Sequence, residues 1–545
     1  MSTGSEPLQV EREPSDSAEA TPTDARGLPF GQAPVRWREI LAVLLLIVLA
    51  DVAVYRAYGF AGFAAFFLAA PLLLWLGAPR PKFGKGCLVL AVMLILAAAK
   101  LLWCGSWLLV GCGFALLVAF TMALAGLRPY VLETVAFAWQ TFIAGYEGLL
   151  HYRRSTDRLA PRIKRGILLD AGLPLVALVA FGLLFIVANP DLLASFGEAV
   201  ERIAEKLRSW ILAVVPDGAE VFFWLAVLWI TIGLLRPVVA WTMSDAPRAE
   251  LVDDEAGPSP ADSPFYVPFR NTLLTLIVLF AVYLVFEFKT LWFRVFPEGF
   301  HYSGYAHEGA AWLTVALALA TVVLSLIFRG RILHDLRSGR LRRLAWIWSL
   351  ENGLLAVAVY HRLTIYIGFN GMTRMRTVGV FGMTCVVAGF VLVIWKIVRN
   401  RDFVWLMRGQ LWALALTVYL FALTPVDALV TSYNVRRILA GDPAPSVEIS
   451  VHPIDSQGVL RLLPLVECDD EIIREGVRAM LASRRDRAEA RALECDEQGW
   501  TANQIADRLL LEKLRGASGD WAEYTDLEKR EAALDRFHEY AYQWY

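Results

Sequence analysis

Charge is scarce in this chain. Charged side chains make up 19% of the 545 residues, against about a quarter in an ordinary soluble domain. The charges nearly cancel, to a net −1 at neutral pH, so the chain has no basic footprint for a nucleic-acid backbone. Cysteine is sparse too, and no CxxC pair occurs. Cys87, Cys104, Cys112 and Cys385 fall in apolar stretches, where a thiol behaves as a small hydrophobe. Cys468 and Cys495 lie in a polar tail, and they bridge only if that tail faces an oxidising compartment. His307-Glu308 starts like a zinc motif, but no second histidine follows at helical spacing. Nucleophile elbows, Walker loops and dinucleotide fingerprints are also missing. Ser349 and His361 share one segment three turns apart, which gives no triad. Neither a metal nor a cofactor is expected, and nothing in the sequence marks an enzyme.

Apolar residues fill the space that charge leaves. They make up 57% of the chain, gathered in blocks of about 20 residues, the length a helix needs to cross ~30 Å of hydrocarbon. The pattern predicts an all-α fold, a polytopic transmembrane helical bundle of about eleven spans. The spans fall at 40–58, 60–78, 86–104, 107–127, 167–188, 220–241, 270–290, 310–328, 345–366, 378–398 and 410–430.

Around these spans the chain divides by composition. Residues 1–36 are polar and nearly free of aromatics, a disordered leader. Residues 37–242 form an N-terminal membrane half of six spans. Its segment 129–150 reads either as an interfacial or re-entrant helix or as a twelfth span. The stretch 191–214 in the same half repeats Leu193, Phe196, Val200, Ile203, Leu207 and Trp210 at helical spacing, an amphipathic helix on the outer surface. Residues 243–266 are an acidic, Pro-rich linker. Residues 267–431 form a C-terminal half of five spans, and 432–545 a small, mainly helical domain. In that domain 446–455 alternates like a short strand, 470–497 is a charged helix, and Thr501 to Gln504 form a capping box.

Lys and Arg mark the cytoplasmic ends of spans. The clusters Arg36/Arg38, Arg80/Lys82/Lys85, His151–Arg165, Arg329–Arg343 and Lys396–Arg408 all fall inside if the N-terminus is inside. The odd number of spans then places the C-terminal domain outside the cytoplasmic membrane.

Ionisable groups inside spans are functional candidates because each costs at least ~2.5–3.5 kcal/mol at mid-depth unless paired. Asp51, Lys100, Glu287, Arg362 and Asp427 all fall toward the outer ends of their helices, and are expected at a common level. Glu351 lies eleven residues before Arg362 on one helix, about 16 Å away along the axis. Arg362 therefore needs a partner elsewhere, and Glu287 and Asp427 are the candidates. Tyr366 follows one turn later. Gly368 and Gly371 permit a tight turn, and Arg374 and Arg376 follow it on the outer side. These arginines either pair with acids of the tail or hold an anionic group such as a lipid phosphate.

Several stretches resemble a known family. RLTIYIGFNGMTRMR (362–376), YSGYAHEGAAWL (302–313), LPLVALVAFGLLFIVANPDLLASF (173–196) and TPVDALVTSYNVRRIL (424–439) are similar to the bacterial polytopic domain-of-unknown-function family 4173, whose relative is numbered 4153. The resemblance covers roughly 160–470 and places the family pattern on Arg362, Leu363, Ile365, Tyr366, Gly371, Thr373 and Arg376. Further elements fall on Tyr305, Ala306 and Gly309, and on Asn434, Val435 and Arg437. The chain departs from the pattern at Asn370, where an aromatic is expected, and at His307, where Arg is expected. The resemblance implies a membrane fold and no activity.

Three functions fit these observations. One is a scaffold or envelope-sensing protein whose outer domain binds a protein partner. A second is a transporter with a polar pocket toward the outer side. A third is an enzyme on lipid-linked anionic substrates, using Arg362, Arg374 and Arg376 with Glu351 or His361. The lipid bilayer is the one partner common to all three.

Overall fold

Every block of apolar residues that the structure describes has folded as a helix, because only internal hydrogen bonding satisfies a backbone surrounded by lipid. The computed structural model describes residues 35–159, 217–237, 265–289, 302–328, 337–399 and 401–544. The leader, the span at 167–188, the amphipathic helix at 191–214 and the acidic linker lie outside the described residues, apart from a residue or two at their edges.

The first half contains α1 (Trp37–Ala50), α2 (Phe60–Gly77), α3 (Lys85–Cys104), α4 (Trp107–Leu124), α5 (Val131–Leu159) and α6 (Gly218–Leu235). The second contains α7 (Tyr266–Glu287), α8 (Tyr302–Ile327), α9 (Ser338–Asn370), α10 (Arg374–Arg399) and α11 (Phe403–Leu423). Seven of these, α2, α3, α4, α6, α7, α10 and α11, are long and apolar enough to cross a membrane. The other expected spans within the described residues are also helices, but α1 has 14 residues, the apolar part of α8 is short and α9 carries more polar groups. The chain is an all-α, multi-pass helical bundle. Helix α5, which takes in 129–150 from Val131 onward, is not among the seven. It packs on the last turns of α6, with Gly145 against Trp229 and Gly148 against Ile232.

Each half has its own apolar core. Phe67, Leu74, Leu94 and Leu101 anchor the first, and Leu273, Leu317, Trp348 and Val393 the second. Helix α11 joins the halves. Its Tyr419 packs in the first core and donates to the Met93 carbonyl at 2.7 Å. At its other end Arg408 bonds Glu133 of α5 at 2.7 Å.

Beyond α11 the chain breaks at Thr424-Pro425 and restarts as α12 (Val426–Leu439). Asp427 therefore stands in the first turn of a new helix, not within a span. The tail continues as α13 (Ser446–Val451), α14 (Ser456–Val459), α15 (Glu471–Gln498), α16 (Ile505–Gly516) and α17 (Leu527–Tyr542). Its separate core holds Val459, Leu462, Val477, Leu514, Trp521 and Phe537.

Two local expectations in the tail are corrected, and the open question of a Cys468–Cys495 bridge is answered. Residues 446–451 are a helix, not a strand. Ser446 through Ile449 are all buried there, so their alternation reports no half-buried sheet face, and tertiary packing overrides β propensity. The Thr501 box does not cap α16, because Trp500–Ala502 forms its own 3-10 turn and Gln504 occupies the cap position with no side-chain bond to the helix. Cys468 and Cys495 are both free thiols. Their Sγ atoms donate to the carbonyls of Asp470 at 3.3 Å and Ala502 at 3.6 Å.

Candidate functional site

The turn between α9 and α10 is where the candidate site is built. Gly371 has φ +102°, a left-handed conformation that costs a side-chain-bearing residue ~1–2 kcal/mol. A Cβ there would also lie 2.5 Å from Asn434 Oδ1 and 2.9 Å from Pro445 Cβ. The break thus lies at Gly371 alone, since Gly368 stays inside the last turn of α9. Asn434 of α12 holds the turn like a paired backbone, accepting from Met372 N at 2.7 Å and donating to Met372 O at 2.9 Å. Arg437, one turn on, donates to the carbonyls of Ile367 at 3.0 Å and Gly368 at 2.8 Å. It adds a second bond to Ile367 O, which already accepts from Gly371 N, satisfies Gly368 O, and complements the helix dipole at the end of α9.

Held this way, the turn walls a cavity of about 530 Å³ between the bundle end and the tail, lined in part by Tyr366, Asn370, Arg374, Arg376, Asp427 and His452. Arg376 is 6% exposed. Its guanidinium stacks 3.9 Å over the Tyr366 ring, donates to Gly371 O and lies 3.4 Å from Glu448. Its Nε has no hydrogen-bond partner among the described residues, and neither has Asn370 Oδ1. The Asn370 amide donates to Trp544 O at 2.7 Å, so this departure from the family pattern ties the chain end to the site. Glu448 also faces His452 at 3.0 Å. Burial pushes the Glu448 carboxyl above its ordinary range, against the pull of Arg376 and His452.

One side of the cavity opens into a polar seam. Arg374 grips both oxygens of Asp427, which also accepts from Asp455 N at 2.7 Å. Gln457 bonds Asp455 at 2.7 Å and accepts from Lys100 Nζ at 3.0 Å. Burial raises the Asp455 carboxyl, and the Asp427 charge raises it further. Nearby, Gly105 N donates to Gln504 Oε1 at 2.9 Å and Tyr58 N to Thr501 Oγ1 at 3.4 Å. The tail is thus fastened to the ends of α3, α4 and α10 and to the loop before α2 through polar groups.

The expected site residues divide accordingly. Tyr366, Arg374, Arg376 and Asp427 meet at the cavity. Glu287 and Arg362 do not line it. They pair with each other, Nε to Oε1 and Nη2 to Oε2 at 2.5 Å each, with Glu287 fully buried and Arg362 nearly so. Glu351 is fifteen residues before Tyr366 in α9, about 22 Å along the axis, and takes no part. The ionisable groups expected at one level resolve into separate clusters at the same end of the bundle. The third cluster joins Asp51 to Trp224 at 2.9 Å and to Arg56 at 3.2 Å, and Arg56 bonds Glu220 at 2.8 Å.

Sequence reading missed Glu448, His452, Asp455 and Gln457. The signal for the first two was present, because positions i and i+4 share a helix face and Pro443 and Pro445 suit a helix start. At the opposite end of the bundle it missed a buried pair, Arg236 Nη2 on Glu39 Oε2 at 2.8 Å.

The chain belongs to the family described as Domain of unknown function (DUF4153), which it matches over residues 84–456. The designation 4173 is not supported, and its relative is the family found. The match begins earlier than the resemblance did and takes in α3 to α5. It contains every residue lining the cavity and stops at the seam, before α15 to α17. No curated protein and no solved structure matches the chain.

Proposed function

We propose that this DUF4153 chain is an interaction and sensing protein of the bacterial cytoplasmic membrane, with its C-terminal domain on the outer side. The observation that carries this reading is the seam. A domain with its own core sits on the bundle end through Arg374, Asp427, Asp455, Gln457 and Lys100, with a cavity beside them. Polar interfaces of this kind permit relative motion of the parts they join. A partner that enters the cavity competes for Arg374, Arg376 or His452 and so biases how the domain docks.

The test places a photo-reactive residue at Met375, which is 70% exposed and lines the cavity. A discrete adduct in cells, lost when Arg376→Gln is added, is the expected result. Absence of any adduct at Met375, or an adduct indifferent to Arg376→Gln, rejects the reading. Sidedness has its own test. A cysteine replacing Gly519 should react with an impermeant maleimide in intact cells, and reaction only after lysis would place the domain inside.

A second reading, an enzyme on lipid-linked anionic substrates, draws on the unpartnered Nε of Arg376 and the half-exposed Arg374. Its acid or base would be Glu448 or His452, not Glu351 or His361. The cavity lies where α9 and α10 end rather than at mid-depth, which favours a transporter less.

A further inference from the structure

A second concavity lies outside the family-matched stretch, but for Ser456 at its edge, and shares no residue with the cavity above. Arg484, Arg487 and Arg491 of α15 recur at spacings of three and four, which sets them on one helix face. With Arg508 of α16 they line an open groove of about 360 Å³, whose acidic members are Asp496 and Asp507. Asp507 is already engaged by the Ser456 hydroxyl.

The four arginines are weakly satisfied. Among the described residues Arg487 reaches only Ser483 of its own helix, at 3.3–3.4 Å. Arg491 stands 3.7 Å from the exposed Glu494, and Arg508 Nε bonds Asn503 at 3.0 Å. Arg484 makes no hydrogen bond or ion pair among the described residues, and its buried Nε has no acceptor. Burial, and then the neighbouring Arg487, hold its proton affinity below the usual guanidinium range. A half-buried guanidinium N–H without an acceptor is costly, and an anion in the groove supplies that acceptor.

Position identifies the anion. Gln504, on the groove wall, bonds the backbone at Gly105, the residue that ends spanning helix α3. Arg484 lies within electrostatic reach of Asp455 in the seam. Cys495, eleven residues beyond Arg484 on α15, rests against Ala502 beside the start of α2. Exposed apolar side chains surround this end of the bundle, among them Tyr58, Trp107, Leu493, Trp500 and Ile505. Aromatic groups at that level suit the membrane–water boundary.

We propose that the Arg484–Arg487–Arg491–Arg508 groove binds the phosphate headgroup of an anionic phospholipid from the adjoining leaflet. Planar guanidinium forks match phosphate oxygens in pairs. The acyl chains would run down beside α3 and α4. The inference does not depend on which compartment holds the tail, nor on the seam cavity having a ligand.

The experiment uses the full chain purified in neutral detergent, with native mass spectrometry after addition of phosphatidylglycerol or phosphatidylcholine. Preferential retention of phosphatidylglycerol is expected, reduced about tenfold in Arg484→Gln/Arg491→Gln, as loss of charge-assisted bonds requires. Arg508→Gln, at an exposed position of the opposite wall, should also reduce retention with the melting temperature unchanged, so a poorly folded double variant does not leave the question open. Equal retention of the two lipids, or retention indifferent to Arg508→Gln, overturns the proposal. So does complete displacement of the lipid by equimolar glycerol phosphate, which would make the groove a site for soluble phosphate esters.

Discussion

Arg362 shows what one charge inside a helix demands. Its helix supplies no acid within reach, and the partner comes from Glu287, 75 residues away in sequence. Both groups are buried, so removing one strands the other. Arg362→Gln is expected to destabilise the bundle by about 3–5 kcal/mol. Replacing both residues, Arg362→Met with Glu287→Met, should recover most of that loss. Unfolding in mild detergent measures both, and equal losses in the single and double variants would show that the pair is not coupled. Because the pair stands apart from the seam cavity, adduct formation at Met375 should persist in any variant that folds.

At the scale of elements, the α9–α10 turn sets the geometry of the site. Helices α9 and α10 meet there, and α12 closes over them through Asn434 and Arg437. Gly371→Ala meets both the left-handed φ and the close approach of Asn434, and a loss of about 1–2 kcal/mol from backbone strain alone is expected. Hydrogen exchange should rise in 434–448 while the first core is unaffected. A melting temperature identical to the parent would contradict this account. Gly368→Ala makes the control, since a Cβ there meets nothing within 4 Å.

At the scale of the whole molecule, the seam responds to pH. Asp455 faces Asp427, Lys100, Gln457 and Arg484, and burial raises its carboxyl above the ordinary 3.8. Glu448 faces Arg376 and His452, and burial raises it above the ordinary 4.5. The docked state therefore binds these protons more tightly than the undocked state, and docking strengthens as pH falls from neutrality through the raised values. Asp486, paired with Arg530 inside the tail rather than across the seam, has the opposite sign: that hydrogen bond holds it below 3.8, so the stability it gives the tail is lost only as pH falls through the lowered value. Amide protection of 455–458, corrected for intrinsic exchange, should increase on mild acidification, and Asp455→Asn should flatten the increase. Protection that falls over the same range would refute the coupling.

Composition and periodicity by themselves determined that this chain is an all-α, multi-pass bundle with a helical tail, because lipid leaves the backbone no alternative and runs of about 20 apolar residues measure the bilayer directly. They also singled out Arg374, Arg376 and Asp427, since charge in or beside an apolar run is conspicuous, and Tyr366 by its place one turn after Arg362. Only the tertiary structure decided the pairing. It gave Arg362 to Glu287 and Arg374 to Asp427, and it brought Glu448 and Asp455 into the same site from a segment whose alternation reads as a strand. Pairing depends on which helix ends are neighbours and on how the tail lies across them. Those are long-range packing relations, and no local spacing encodes them.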